Sequence, residues 1–359
     1  MSILDKPLTP PPRRSRRRPI IILSILLILL LILFVFTDIH ADIAFIVHFV
    51  TAPNHFTYHG HSDYVSSVAW SHDGKRIASA SGDHTVQVWD AVDGSHVLTY
   101  RGHSSDVLSL AWSPDGKYIA SGSFDTTVQV WNAVSGKSVY TYHEHSDAVP
   151  DVAWSPDGKR IASASNDGSV QVWDAFTGSH IIAYRSPPTT RGKPAPWDAV
   201  AWSPDGKRIA IGGNGNVLML DAATGKNVAS YGYNAGTVHA VAWSPDGRYI
   251  AVGSAANTAQ IWDTVTANNI YNYQGHNEDI FSVAWSPDGK RIVSGSGDGT
   301  AQVWDAFTGN HVYIYRGHAD YYWGHLTSNA PVYSAAWSPD GKMIASGSDD
   351  STVQVWKAM

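Results

Sequence analysis

The chain has 359 residues, of which 43% are hydrophobic, 11% aromatic and only 16% charged, with 31 glycines, 15 tryptophans and no cysteine. That mix suits a β-rich globular chain with many turns, and the missing cysteine excludes disulfides, thiolate zinc sites and cysteine nucleophiles. The net charge is −6, but residues 1–36 carry Lys6, Arg13, Arg14, Arg16, Arg17 and Arg18 against Asp5, so the remainder is near −11; an acidic body does not suit a phosphate backbone, and nucleic acid is not an expected partner.

Residues 1–19 are basic, proline-rich and too few to bury a core, so a disordered tail is expected. Residues 20–36 contain one polar residue, Ser24, and reach the short end of what crosses a bilayer as a helix. The arginines just before them predict a single-pass anchor in the cell membrane with a cytoplasmic N-terminus and an extracytoplasmic body. A cleaved signal peptide is the rival reading. Its apolar stretch is normally shorter, and the nearest cleavage signal, ending at Ala41, has Ile39 where a small residue belongs. Ile39, Ile43, Val47 (or Ile46) and Val50 fall at helical spacing, which predicts a helix continuing to about residue 52 as a stalk or lying in the membrane interface, and ending at Pro53.

From residue 54 onward the chain repeats itself. The phrase Ala-Trp-Ser-Pro-Asp-Gly recurs, with His72 in place of proline in the first copy, and its tryptophans stand at 70, 112, 154, 202, 243, 285 and 337. A period just above 40 residues marks supersecondary units that cannot bury their own faces and must stack. In the second repeat, residues 107–112 alternate as strand a, Ser113 to Gly116 turn, and residues 118–123 form strand b. Residues 127–131 form strand c, Ser135 and Gly136 turn, and residues 138–142 form strand d. No room is left for helices, so the class is all-β. The last repeat stops just after strand c, whereas residues 55–59 match a strand d; the N-terminal strand is expected to complete the last unit and remove its open edge.

Regular repeats also share a His, Ser, Asp and Trp. The sets are His61, Ser79, Asp83 and Trp89; His103, Ser121, Asp125 and Trp131; His145, Ser163, Asp167 and Trp173; His276, Ser294, Asp298 and Trp304; and His318, Ser346, Asp350 and Trp356. Taken singly, each set has the residue types of a nucleophile, its base and an orienting acid. Five copies argue instead for scaffolding: the carboxylate receives the imidazole, the imidazole meets the serine, and the serine receives the indole N–H, satisfying groups that are costly to bury alone. No calcium loop, phosphate-binding loop or helical His pair is found, so no catalytic, metal or cofactor site is expected.

Gly-His pairs stand at 60–61, 102–103, 275–276 and 317–318, with Glu144-His145 a variant. Trp-Asp pairs stand at 89–90, 173–174, 262–263 and 304–305, with Trp131-Asn132 a variant. Residues 54–359 resemble the WD-repeat family, and the likeness of the repeats to one another is similar to bacterial members. The resemblance implies a seven-bladed β-propeller closed by the N-terminal strand, in which the five sets are structural tetrads. Two blades depart: the fourth has Asn214 and Leu220 at the Asp and Trp positions, and the fifth has Ala235 and Ala256 at the His and Asp positions, so both are expected to be less rigid. By position, the resemblance places Tyr64, Phe124, Asp198, His239, Phe281 and Tyr333 on the rim of the top face. An insertion at 319–330 with Tyr321, Tyr322 and Trp323 is a candidate binding loop, the alternative being a loop that packs on its own scaffold. The expected function is a membrane-anchored, non-catalytic scaffold presenting this face to a protein or peptide. The alternatives are a small-ligand sensor or enzyme using the central channel, and a purely structural assembly module.

Overall fold

A computed structural model describes residues 56–187, 192–232, 236–310, 312–318, 320–322, 325–328 and 330–358. The readings for residues 1–19, 20–36 and the stalk lie outside these. Among the described residues no helix is long and apolar enough to cross a membrane.

Each Trp-Ser-Pro-Asp-Gly phrase ends one strand and starts the next. Ser71 Oγ donates to Asp73 Oδ1 and accepts the backbone N–H of Arg76, which fixes the turn; Ser113, Ser155, Ser203, Ser244, Ser286 and Ser338 donate in the same way to the Asp two residues on. The turn glycine takes a left-handed conformation, with φ of 69° at Gly74, which glycine adopts without a Cβ penalty. Repetition yields seven four-stranded antiparallel sheets. In the second blade the strands are Val107–Trp112, Tyr118–Ser123, Val128–Asn132 and Ser138–Tyr142. Strand c thus lies one residue later than the sequence pattern suggests, because Asn132 still pairs with Tyr118 at the start of strand b.

The seventh blade is closed from the other end of the chain. Phe56–Tyr58 pairs antiparallel with Val353–Lys357, in register Phe56 to Val355 and Tyr58 to Val353. The insertion at 319–330 contains a separate two-stranded ladder, Asp320–Tyr322 with His325–Ser328.

The core lies between blades rather than within them. One face of Val65, Val68, Ile77 and Trp89 in blade 1 packs against Ala345, Val353 and Val355 of blade 7, and six further clusters fill the other six seams. A ring of polar contacts accompanies this packing. The indole N–H of the last residue of each strand a donates to the carbonyl of the alanine before the corresponding tryptophan one blade back: Trp70 to Ala336, Trp112 to Ala69, Trp154 to Ala111, Trp202 to Ala153, Trp243 to Ala201, Trp285 to Ala242 and Trp337 to Ala284, at 3.1–3.2 Å. The Ala-Trp pair is therefore both donor and acceptor in a circle of seven bonds, and each bond ties two blades. Replacing Trp112 by Phe keeps the ring but removes its N–H and strands the Ala69 carbonyl. Urea denaturation should show a loss of about 1–2 kcal/mol; an unchanged midpoint would mean the ring of indole bonds contributes nothing.

Candidate functional site

Two constellations emerge from this scaffold, one repeated and one not. The repeated one starts with the His of each set. His61 Nδ1 lies 2.9 Å from Asp83 Oδ2, His61 Nε2 lies 2.8 Å from Ser79 Oγ, and Trp89 Nε1 donates to Ser79 Oγ at 3.3 Å. The carboxylate requires the ring proton on Nδ1; a neutral ring then leaves Nε2 to accept the serine proton while the serine oxygen receives the indole. Asp83 is further saturated by the backbone N–H groups of Ser62 and Thr85 and by the Thr85 hydroxyl. The same three links join His103, Ser121, Asp125 and Trp131; His145, Ser163, Asp167 and Trp173; His276, Ser294, Asp298 and Trp304; and His318, Ser346, Asp350 and Trp356. All five serines are fully buried, so no substrate reaches their hydroxyls.

The chain extends across the seam through residues that sequence reasoning missed. The tyrosine ending strand d of one blade stacks on the tetrad tryptophan of the next, with centroids 4.3–4.5 Å apart: Tyr58 on Trp89, Tyr100 on Trp131, Tyr142 on Trp173, Tyr273 on Trp304 and Tyr315 on Trp356. Each tyrosine hydroxyl donates to a strand-c glutamine, as Tyr100 does to Gln129 at 2.7 Å, and that glutamine donates back to the carbonyl before the tetrad His. The recurring Gln two residues before each tetrad Trp was the available signal.

Blades 4 and 5 change this set as a group. Ile211 and Leu220 occupy the Ser and Trp positions of blade 4, and both are buried. In blade 5, Val252 takes the Ser position and Trp262 turns its N–H to Gln260 Oε1 at 3.0 Å. The serine is exchanged for an apolar residue in both blades, and the tryptophan is replaced in blade 4 and given another partner in blade 5, so no indole N–H at the tetrad position is left without its acceptor. The aromatic contacts change too: Tyr184 meets Trp197 edge-on at 5.8 Å, and Tyr231 meets Trp262 edge-on at 5.8 Å. Trp197, at the end of an insertion at 187–197, fills the strand-a valine position and is buried; its backbone N–H donates to Ser165 O and that of Ser186 to Gly168 O, and Ser186 Oγ donates to Ala195 O, so this part of the chain packs on the preceding blade.

The non-repeated constellation is on the rim. His239, Phe281, Tyr333 and Tyr64, from blades 5, 6, 7 and 1, form a continuous row with centroid separations of 5.4, 5.4 and 5.7 Å. A carboxylate accompanies three of the four rings. Tyr64 donates to Asp106 at 2.8 Å and Tyr333 to Asp349 at 3.1 Å, while His239 Nε2 lies 3.4 Å from Asp279 as a Coulombic neighbour without a hydrogen bond. Burial and the adjacent Asp349 push the Tyr333 phenol up to about 12, so it remains a donor at neutral pH. Burial also raises the Asp198 carboxyl, against the opposing pull of His239. Phe124, on blade 2, is half exposed. Tyr321 and Tyr322 lie on the inserted two-stranded ladder, and Trp323 lies outside the described residues. Sequence reasoning also missed Asp151, which accepts Ser109 Oγ from the blade before and the Val200 N–H from the blade after, linking three inner strands.

Seven blades stacked in a ring, with strands from both ends of the sequence in one sheet, define a β-propeller. The description "WD domain, G-beta repeat" matches residues 53–90, 94–132, 136–174, 225–263, 267–305 and 309–357. The chain belongs to this WD-repeat family. Among curated proteins no match is found. The unmatched stretch 175–224 includes all but the last strand of blade 4 in full, which keeps its four-stranded sheet although Leu220 replaces the tryptophan.

The tetrad carboxylates carry a pH signature. Burial alone would raise Asp83, but hydrogen bonds from His61 and Thr85, attraction to His61 and the Ser62 N–H outweigh it and hold the carboxyl well below its usual range. A depressed folded value contributes stability that is present above the unfolded value, about 3.9, and is lost as pH falls through it toward the folded one. Asp83→Asn should therefore be clearly less stable than the wild type at pH 6, with the gap narrowing below pH 4. Denaturation curves at pH 6 and pH 3 check this; a gap independent of pH would refute it.

Proposed function

We propose that this protein is a membrane-anchored, non-catalytic scaffold whose propeller binds a protein or peptide across the rim formed by His239, Phe281, Tyr333 and Tyr64. WD-repeat propellers typically bind protein partners. The observation that carries the choice of face is the unbroken aromatic row, because the repeats do not share it and it joins four blades on one surface. Positions held in common satisfy the scaffold, whereas large rings grouped on a surface with hydrogen-bonding carboxylates have the composition of an interface centre. The Asp106, Asp349 and Asp279 carboxylates beside the rings favour a partner segment that brings hydrogen-bond donors. The apolar run at 20–36, preceded by five arginines, supports an anchor in the cell membrane with the propeller on the extracytoplasmic side.

The test uses the full-length chain extracted from membranes in detergent. Cross-linking before extraction should give a discrete partner with the wild type. Phe281→Ala combined with Tyr333→Ala should cut its recovery by roughly tenfold or more, the cost of losing aromatic anchors, with the thermal midpoint little changed. Undiminished capture by the double variant would move the interface elsewhere, and a wild-type chain found wholly in the soluble fraction would overturn the anchor.

A further inference from the structure

At the opposite ends of the inner strands from this rim, two seams differ from the rest. The first residue of strand b stands beside the seam with the following blade, and in blades 1 to 7 it is Arg76, Tyr118, Arg160, Arg208, Tyr249, Arg291 and Met343. Three of the arginines lay their guanidinium over the next blade's strand-a tryptophan: Arg76 over Trp112 at 4.9 Å, Arg160 over Trp202 at 4.8 Å and Arg291 over Trp337 at 4.8 Å. Arg76 also donates to the carbonyls of Ala133 and Gly116, and Arg160 to that of Ala222. The two tyrosines pack in the same seams, Tyr118 against Phe176, which touches Trp154, and Tyr249 against Trp285. The five tryptophans so covered are 5–8% exposed.

Trp70 and Trp243 are only partly buried. At Trp243 an arginine is present but turned away, with Arg208 Nη1 3.3 Å from Met219 Sδ of its own blade. At Trp70 the preceding blade supplies Met343, which has no donor and no charge. A cavity of about 550 Å³ opens there, between blades 7 and 1, lined by Phe56, Trp70, Gly74, Ala91 and Met343 among others. By repeat register, Gly74 and Ala91 correspond to Gly116 and Ala133, the two carbonyls that receive Arg76 one seam further on. Asp73 and Asp340 also line the cavity, and Asp340 pairs there with the exposed Lys342 at 3.2 Å.

We infer that this seam is a binding site for the guanidinium of an arginine side chain carried by a separate polypeptide. The molecule itself shows what fits: an indole face, two carbonyls in the register that elsewhere accepts N–H groups, and flanking carboxylates. Guanidinium is flat, permanently charged and carries five donors in a fork, so it stacks on the indole and donates sideways at once. An ammonium offers neither the stacking surface nor the fork. The site is independent of the aromatic rim and lies at the other end of the strands.

The probe is N-acetyl-arginine amide, titrated into the full-length chain while the indole resonance of Trp70 is followed, with the lysine and citrulline amides as comparisons. Arginine amide should shift that resonance saturably. The lysine amide should bind several-fold more weakly, and the neutral citrulline amide roughly tenfold or more weakly. Met343→Arg should supply the missing cover from within, abolish the arginine response and raise the thermal midpoint. Equal binding of citrulline and arginine amides, no response of Trp70 in the wild type, or undiminished binding to Met343→Arg would each overturn the inference. So would binding that emerges only after Arg13, Arg14, Arg16, Arg17 and Arg18 are changed to Ala, because the socket would then belong to the chain's own tail. The wild-type titration decides the matter even if Met343→Arg fails to fold.

Discussion

The structure depends on a buried polar chain that crosses from one blade to the next. A propeller blade is a twisted sheet with two apolar faces, and pure apolar contact between such faces does not fix how they slide. The tyrosine of one outer strand stacks on the tryptophan of the next blade, its hydroxyl meets a glutamine, and that glutamine leads to the histidine, serine and aspartate behind it. Every member has a partner, so the cost of burying polar groups is met while the geometry selects one registry. The inner circle of indole-to-carbonyl bonds does the same nearer the channel. Closure by Phe56–Tyr58 follows from this logic, since Tyr58 is at once the outer strand of blade 7 and the stacking partner of Trp89 in blade 1.

Much of this was legible in the residues. The period of the Ala-Trp phrase counted the blades, and the missing last strand pointed to the ring closure because both are properties of spacing alone. The constant interval from His61 to Asp83, repeated from His103 to Asp125, marked residues that meet in space. What was not legible involves contacts between repeats. The Ala69 carbonyl is the acceptor for Trp112, but nothing in the phrase says which neighbour it faces. The covering position escaped notice because Arg76, Tyr118 and Met343 share reach rather than chemistry. Asp151 reads as one more turn-side acid until three inner strands are seen around it.

Division of labour follows from repetition. Where five blades agree, the residues hold the ring; where they differ, the surface carries information. The rim from His239 to Tyr64 spans the four blades from the fifth round to the first, and its rings are packed against one another, two pairs tilted and the Tyr64–Tyr333 pair edge to face, which holds them in place before any partner arrives. At the far end of the strands, Met343 leaves uncovered an indole of the kind that arginine or tyrosine covers elsewhere, so a change of one residue converts an internal contact into an available one. Both surfaces arise from local departures in a scaffold that is otherwise over-determined.

The claim that the buried chain acts as one unit is tested most directly by a double-mutant cycle on two of its members that do not touch through a direct bond. His61→Ala and Trp89→Phe touch residues joined through Ser79 Oγ. Stabilities of the wild type, both single variants and the double variant should give a coupling of at least about 1 kcal/mol. Additivity within about 0.3 kcal/mol would show that the links act separately and that the chain is only a set of adjacent bonds.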